Sequence, residues 1–413
     1  MTLEDYCLHI TDGEHCSVKD DEQGKYYLLS NKNIIDGNVV VGNDERRISK
    51  DTFDKINKRI LLEANDVLIS TVGTLGKTAV VRSPINYTFQ RSVGIIKPDP
   101  LKVDSYYLKY LLDTAPLQQQ LLGMSSGAIQ KCIFISTLKS LQIQLPDLST
   151  QKQRAKVLRD IDEKININRR IIAKLEETIR KIYDYWFVQF DFPDINGKPY
   201  KSSGGTMIYN SQLKREIPTG WEVKTINDIA QVFNGATPST SDASYYGGDV
   251  IWITPKDLSI QQSKFIIQGE RNITVKGYNS CSTHLLPMNA ILMSSRAPIG
   301  LFAIAKKELC TNQGFKSFVP KNEAFNTYLY YYLMQHKAKI EQLGTGTTFK
   351  EVSREDMLKF FTLLPPINIL HEFEDKSKCI CDEQLILQKE IAALIRQRDK
   401  LLPLLMNGQI SVN

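Results

Sequence analysis

Apolar residues recur every seven positions along two long stretches of the chain. In the first, Leu158, Ile165, Ile172, Ile179 and Trp186 mark one seam position, and Ile161, Asn168, Leu175 and Ile182 mark the other. In the second, Phe373, Ile380, Leu387, Leu394 and Leu401 recur, flanked by Leu370, Gln384, Ile391 and Arg398. A narrow apolar seam at this interval predicts two long coiled-coil helices, over 148–190 and 367–406. Each stripe covers about 36 residues, roughly 54 Å at 1.5 Å per residue, which exceeds the width of a domain of about 150 residues. Each helix is therefore expected to project from its own domain. Two single-seamed helices in one chain pack most simply against each other, as an antiparallel pair. Asn168, Gln384 and Arg398 interrupt the seam, and polar residues there fix register at a cost in stability. Leu402-Pro403 and Gly408 are expected to stop the second helix.

Outside these helices the apolar runs are short. Residues 66–70, 78–81 and 92–96 read as strands, as do 250–253, 290–293 and 301–304. The tyrosine-rich stretches 105–112 and 327–334 read as amphipathic helices. These elements occur twice in the same order. Val67-Leu68-Ile69-Ser70 answers Ile291-Leu292-Met293-Ser294, and Ser105-Tyr106-Tyr107-Leu108 answers Thr327-Tyr328-Leu329-Tyr330. Ser126-Gly127-Ala128-Ile129-Gln130-Lys131 answers Thr345-Gly346-Thr347-Thr348-Phe349-Lys350, and Leu145-Pro146 answers Leu364-Pro365. The offset stays at roughly 220 residues, far beyond the 20–50 of a solenoid unit. The chain therefore reads as mixed α/β (α+β): two similar heads, 1–147 and 221–366, separated by two long antiparallel coiled-coil helices, with a pseudo-two-fold internal repeat. Residues 191–220, rich in Gly, Pro, Ser and Lys, read as a connecting segment. A protein with two similar heads reads two sites.

Composition changes this picture little. A length of 413 residues with 42% hydrophobic and 24% charged residues is that of a soluble chain of two or three domains. A net charge of +6 is compatible with nucleic acid but weak for this size. Cysteines 7, 16, 132, 281, 310, 379 and 381 form no Cys-x-x-Cys pair and are odd in number, which suits reduced thiols in a cytoplasm. Cys379-Ile380-Cys381 reads as incidental. The first ten residues lack the pattern of a signal peptide, and no apolar run is long enough to span a membrane. A cytoplasmic protein is expected.

The motif closest to chemistry is Thr71-Val72-Gly73-Thr74-Leu75-Gly76-Lys77-Thr78, which ends like a phosphate-binding loop. Such a loop needs glycine where Thr71 stands and a helix after it; Ala79-Val80-Val81 instead favours a strand. The repeat partner, Arg296-Ala297-Pro298-Ile299-Gly300-Leu301, keeps neither Lys nor Thr. Pro365-Pro366 lacks the flanking residues of an adenine-methyltransferase loop. Histidines 9, 15, 284, 336 and 371 show no metal-ligand spacing, and no nucleophile elbow is present. No metal site and no catalytic residue is expected.

Two variable heads, each followed by a long helix, resemble the specificity subunit of type I restriction–modification systems. Lys181-Ile182-Tyr183-Asp184-Tyr185-Trp186-Phe187-Val188-Gln189-Phe190-Asp191-Phe192-Pro193 is similar to the end of that family's central helix. Asn196-Gly197-Lys198-Pro199-Tyr200 and Ile217-Pro218-Thr219-Gly220-Trp221-Glu222-Val223 look like its lead into the second head. The first head lacks that lead, which at the repeat offset would lie before Met1, so its edge is the least defined part of the repeat. The resemblance covers essentially the whole chain. It implies that each head is a target recognition domain reading one half of a bipartite, asymmetric sequence in double-stranded DNA. It implies that the helices are a ruler for the gap and a dock for two methyltransferase (modification) subunits, with restriction/translocase subunits joining them. This chain would bind no cofactor; S-adenosylmethionine, ATP and Mg are expected on the partner subunits.

Loop residues with paired donors are the candidates for base contact: Gln90, Arg91, Gln130 and Lys131 in the first head, and Arg296, Gln313, Thr347 and Lys350 in the second. The same positions also suit ordinary turns, with Gln90 and Gln313 capping backbone. The pattern without the resemblance also admits a coiled-coil adaptor with duplicated α/β heads.

Overall fold

The computed structural model describes residues 1–42, 44–125, 131–346 and 350–410. The chain divides into two compact units, Met1–Ile167 with Ile391–Asn413, and Asn168–Glu390. Each unit holds one head and a part of each long helix, Leu148–Tyr183 and Ile367–Met406.

The first head is built on a four-stranded antiparallel sheet in the order Cys7–Asp12, Val93–Pro98, Val67–Ser70, Thr78–Val80. Its inner strands are buried along their whole length because both faces are covered. Successive strand side chains point to opposite faces. Val67, Ile69 and Ile96 join one core with Leu108, Leu112, Leu117 and Leu138, while Leu68 and Ile95 join another with Phe53, Ile56 and Ile60 of the helix Lys50–Ile60. Two covering layers explain why these strands read as continuous apolar runs rather than alternating ones. Ser49 caps the covering helix by accepting from Thr52 N at 3.2 Å.

The second head repeats this arrangement. Ala230–Asn234, Phe315–Pro320, Ile291–Ser294 and Phe302–Ala305 pair in the same order, and Phe265–Ile266 adds a fifth strand. Each head also has a three-stranded sheet whose middle strand carries one parallel neighbour: Tyr26–Leu29 with Tyr87–Phe89, and Tyr246–Ile253 with Cys310–Thr311. The second head closes by pairing Glu222–Thr225 with Phe361–Leu364. In the first, a single bridge between Thr2 and Gln142 takes that place, so the edge without a sequence counterpart is still closed by backbone.

Within each unit the two long helices run antiparallel. In the first, Ala155 and Leu158 pack with Leu405 and Met406, and in the second Ile179 and Tyr183 pack with Leu370 and Phe373. Of the seam residues, Leu158, Ile161, Ile165, Ile179, Phe373 and Leu387 are buried; Ile172, Leu175, Ile182, Ile380, Ile391, Leu394 and Leu401 are half-buried. Buried Asn168 donates to Glu390 Oε2 at 2.8 Å, and Gln384 Nε2 donates to Ile172 O at 3.3 Å.

A buried polar cluster fastens the helices to the head in each unit. In the first unit Asp162 accepts from the Tyr110 hydroxyl at 2.6 Å, with Arg398 Nη1 at 3.1 Å and Lys109 Nζ at 3.7 Å. In the second, Glu176 Oε2 accepts from the Tyr331 hydroxyl at 2.9 Å, from Gln384 Nε2 at 3.2 Å and from Lys264 Nζ at 3.3 Å. Cys381 is part of this second cluster, its Sγ 3.4 Å from Lys264 Nζ. Cys379 is exposed, and the two cysteines are not joined to each other.

Two expectations change. Pro403 does not stop the second helix, which continues to Met406. A proline removes its own N–H and crowds the carbonyl four residues back, but it leaves its own carbonyl free to accept, as from Asn407 N at 3.0 Å. The stop comes at Gly408, in the left-handed region at φ 72°, where Gln409 N returns to Leu404 O at 2.9 Å. Residues 191–220 are more than a connection. They contain the hairpin Met207–Asn210 with Arg215–Pro218, and Phe192 and Ile217 enter the same core as Phe187, Phe190 and Trp221.

Candidate nucleic-acid interface

Three loops meet at one place in each head, and backbone hydrogen bonds hold them together. In the first head, Thr71 N donates to Ser92 O at 3.0 Å, joining the turn after strand Val67–Ser70 to the loop carrying Gln90 and Arg91. Ile133 N then donates to Thr71 O at 2.9 Å, bringing in the segment that follows Lys131. The second head repeats both links: Ser295 N donates to Gly314 O at 2.8 Å, and Val352 N donates to Ser295 O at 3.0 Å. Arg296, Gln313 and Lys350 therefore lie on adjoining loops, as do Gln90, Arg91 and Lys131.

The turn resembling a phosphate loop is a hairpin turn folded on one serine. Ser70 Oγ donates to Thr74 O at 2.5 Å and accepts from Lys77 N at 2.8 Å, and Gly76 N donates to Ser70 O at 2.9 Å. Ser294 does the same with Pro298 O, Leu301 N and Gly300 N, at 2.6, 2.8 and 2.9 Å. Gly76 and Gly300 both take positive φ, 78° and 77°, as the turn requires. The Gly76 and Lys77 amides are thereby spent inside the turn, and Thr78 Oγ1 donates to Asp113 at 2.5 Å.

The candidate residues differ in their surroundings. Gln90 is half-buried and its backbone is fixed, its N–H donating to Leu29 O at 2.9 Å. Arg91, Lys131 and Lys350 are exposed. Gln313 is exposed, with its Oε1 accepting from the Thr237 hydroxyl. Arg296 is exposed and held by Glu351, Nε and Nη2 each lying 2.9 Å from Oε2. Gln130 and Thr347 lie outside the described residues.

The profile of the type I restriction modification DNA specificity domain matches residues 11–177 and 218–411. The chain belongs to this specificity family. Two copies of the domain coincide with the two heads and the helix that follows each. Among relatives, the type I restriction enzyme MjaIX specificity subunit of Methanocaldococcus jannaschii is 42% identical over 184 residues, covering 41% of this chain and 42% of that protein. That match spans less than half of either chain. The HindI specificity subunit of Haemophilus influenzae is 27% identical over 379 residues, covering 79% of this chain and 82% of that one. The crystal structure of a type I restriction–modification S subunit from M. genitalium shares the fold, with a TM-score of 0.60 at 16% identity, covering 98% of this chain and 95% of that one.

Several residues at this specificity-domain surface carried no sequence signal. Asn31 donates through Nδ2 to Val72 O at 2.8 Å and fixes the first head's turn from a distant strand end. Glu351 holds Arg296 and is itself held by Lys316 of the buried sheet, 3.1 Å away. Such partners are far apart in sequence, and only the fold brings them together. Among the described residues no group of His, Cys, Asp and Glu could hold a metal, and no helix is long and apolar enough to cross a membrane.

Proposed function

We propose that this chain is the non-catalytic DNA-recognition subunit of a type I restriction–modification complex, each head reading one half of a bipartite, asymmetric target. The observation that carries this reading is the paired meeting of three loops. Both heads present the same hydrogen-bonded platform, yet the side chains on it differ, as two readers of different half-sites require. Exposed arginine and lysine supply phosphate and base-edge contacts, and glutamine supplies donor–acceptor pairs for adenine. The long helices, of 36 and 40 residues, set the gap between half-sites and offer the docking surface for two methyltransferase subunits, which restriction/translocase subunits join. S-adenosylmethionine, ATP and Mg belong to those partners, and the complex works in the cytoplasm.

The test is co-expression with the partner methyltransferase, followed by mapping of modified adenines. A two-part motif is expected. No motif and no co-purification would refute the proposal. Exchanging 221–366 for another head should alter one half of the motif only; an adaptor would show no such effect. Inserting four residues, about one helical turn, after Ala173 should lengthen the gap or abolish modification. An unchanged gap would exclude the ruler role.

A further inference from the structure

Lys316 is a costly residue in an unexpected place. It lies in strand Phe315–Pro320, flanked by strands on both sides, and its side chain is only 6% exposed. An ammonium so placed needs a carboxylate beside it. Here Nζ meets Glu351 Oε1 at 3.1 Å and Ser295 Oγ at 3.4 Å. The other carboxylate oxygen, Oε2, takes Nε and Nη2 of Arg296. Three charges thus form a line from the sheet interior to an exposed turn. Burial acts to raise the Glu351 pKa, but the hydrogen bond and charge of Lys316, with those of Arg296, outweigh it and hold it below the usual carboxylate value. The carboxylate is ionised at neutral pH, so the line carries one net positive charge.

The fold itself does not require this line. The matching backbone bonds of the two heads place Gly94, Val72 and Cys132 where Lys316, Arg296 and Glu351 stand. A side chain at Gly94 would press on Leu138, Ile69 and Thr71, its Cβ already 3.0–3.1 Å from each. The line therefore belongs to what distinguishes the heads. Its geometry also leaves a defined free edge. A guanidinium has five donors in a rigid plane. Glu351 occupies the edge formed by Nε and Nη2, which leaves the end-on pair on Nη1 and Nη2. Two parallel donors of this kind match O6 and N7 of guanine in the major groove.

We propose that Arg296 reads one guanine in the half-site of the second head, with Glu351 and Lys316 as positioning residues that aim it. The assignment rests on the DNA-recognition reading above. It is tested by mapping modified adenines in the co-expressed complex, for the unaltered chain and for Arg296→Ala, Glu351→Gln and Lys316→Met. The unaltered chain must first give a two-part motif; without one, the DNA-recognition reading itself fails. Given a motif, Arg296→Ala should relax a single G·C position in one half, reducing discrimination there about 5- to 150-fold, with the other half and the gap unchanged. Lys316→Met and Glu351→Gln should relax that same position. A merely structural role for Lys316 would instead lower modification at all sites with the motif intact. The assignment is overturned if Arg296→Ala leaves every position as strict as before. It is equally overturned if binding weakens uniformly across sequences with a shallower salt dependence, the mark of a phosphate contact. Arg296 is exposed, so this variant folds and decides the matter even if the buried lysine variant does not.

Discussion

Asp162 joins a head to both long helices within the first unit, so deleting its carboxylate probes the packing directly. It accepts from Tyr110 at 2.6 Å and faces Arg398 and Lys109. Removing one partner of a buried ion pair costs on the order of 3–5 kcal/mol. Here Lys109 keeps Asp113 at 3.0 Å, and Arg398, with a quarter of its side chain exposed, keeps Asp399 at 2.9 Å. The expected cost of Asp162→Ala is therefore smaller, about 2–3 kcal/mol. Much of it is the Tyr110 hydroxyl left without an acceptor, on the order of 1–3 kcal/mol. Tyr110→Phe alone should cost about 1 kcal/mol, and the double variant should cost less than the sum of the singles by about that amount. Native-state hydrogen exchange on Ser105–Leu112 and on residues 155–165 reads the effect locally. Asp162→Ala should speed exchange there roughly 30- to 150-fold, since each 1.4 kcal/mol is tenfold. Exchange in Asn326–Gln335 should stay as it was. Strictly additive single effects, or equal acceleration in both units, would show the reasoning to be wrong.

Other expectations are briefer. Burial acts to raise the Glu176 pKa, but the charge of Lys264 and hydrogen bonds from Arg180, Gln384 and Tyr331 outweigh it and leave it lowered. A lowered carboxylate stabilises the fold above its ordinary value of 4.5 and loses that contribution as pH falls through the folded value. The second unit should therefore open on acidification below about pH 4.5, and Glu176→Gln should flatten this dependence in pH-dependent hydrogen exchange. A variant as acid-sensitive as the original would count against it. Asn168 is wholly buried, and its Oδ1 has no partner among the described residues. Asn168→Leu should raise the urea midpoint, by about 1 kcal/mol in stability, and a lower midpoint would contradict this. Gly235 packs against the backbone oxygens of Thr311 and Asn312, as Gly13 packs against those of Phe89 and Gln90. Gly235→Ala should displace the Gln313 loop and blur one half of the modification motif, whereas Gly13→Ala should blur the other; both halves changing together would refute it.

The long helices were legible because a seven-residue repeat is a local signal that tertiary context seldom overrides. The duplicated heads were legible from ordered pairs such as Ser70 and Ser294, which turn out to fold the same turn. What escaped depends on distant contacts. Phe190, Phe192, Ile217 and Trp221 are spread among glycine, serine and lysine, so composition suggests a linker while the aromatic rings build a core. Parallel pairing of Tyr26–Leu29 with Tyr87–Phe89 leaves no local trace. The turn positions of Arg91 and Arg296 could be read from the repeat, but the Lys316–Glu351 support could not. A lysine within an apolar strand reads as a solvent-facing residue until both faces of the sheet are known to be covered.

The two polar clusters that fasten heads to helices carry one further consequence. By the correspondence of Ile161 with Ile380 and Leu175 with Leu394, Asp162 matches Cys381 and Glu176 matches Ile395. The anchoring carboxylates therefore stand at non-equivalent positions of the sequence repeat. A head carries the complement of its own berth: Lys109 and Tyr110 in one case, Lys264 and Tyr331 in the other. Each berth thus holds one carboxylate, and both carboxylates lie on the helix Leu148–Tyr183. One helix therefore carries the sockets for both heads, and a substituted head keeps its seat as long as it brings a lysine and a tyrosine to that carboxylate.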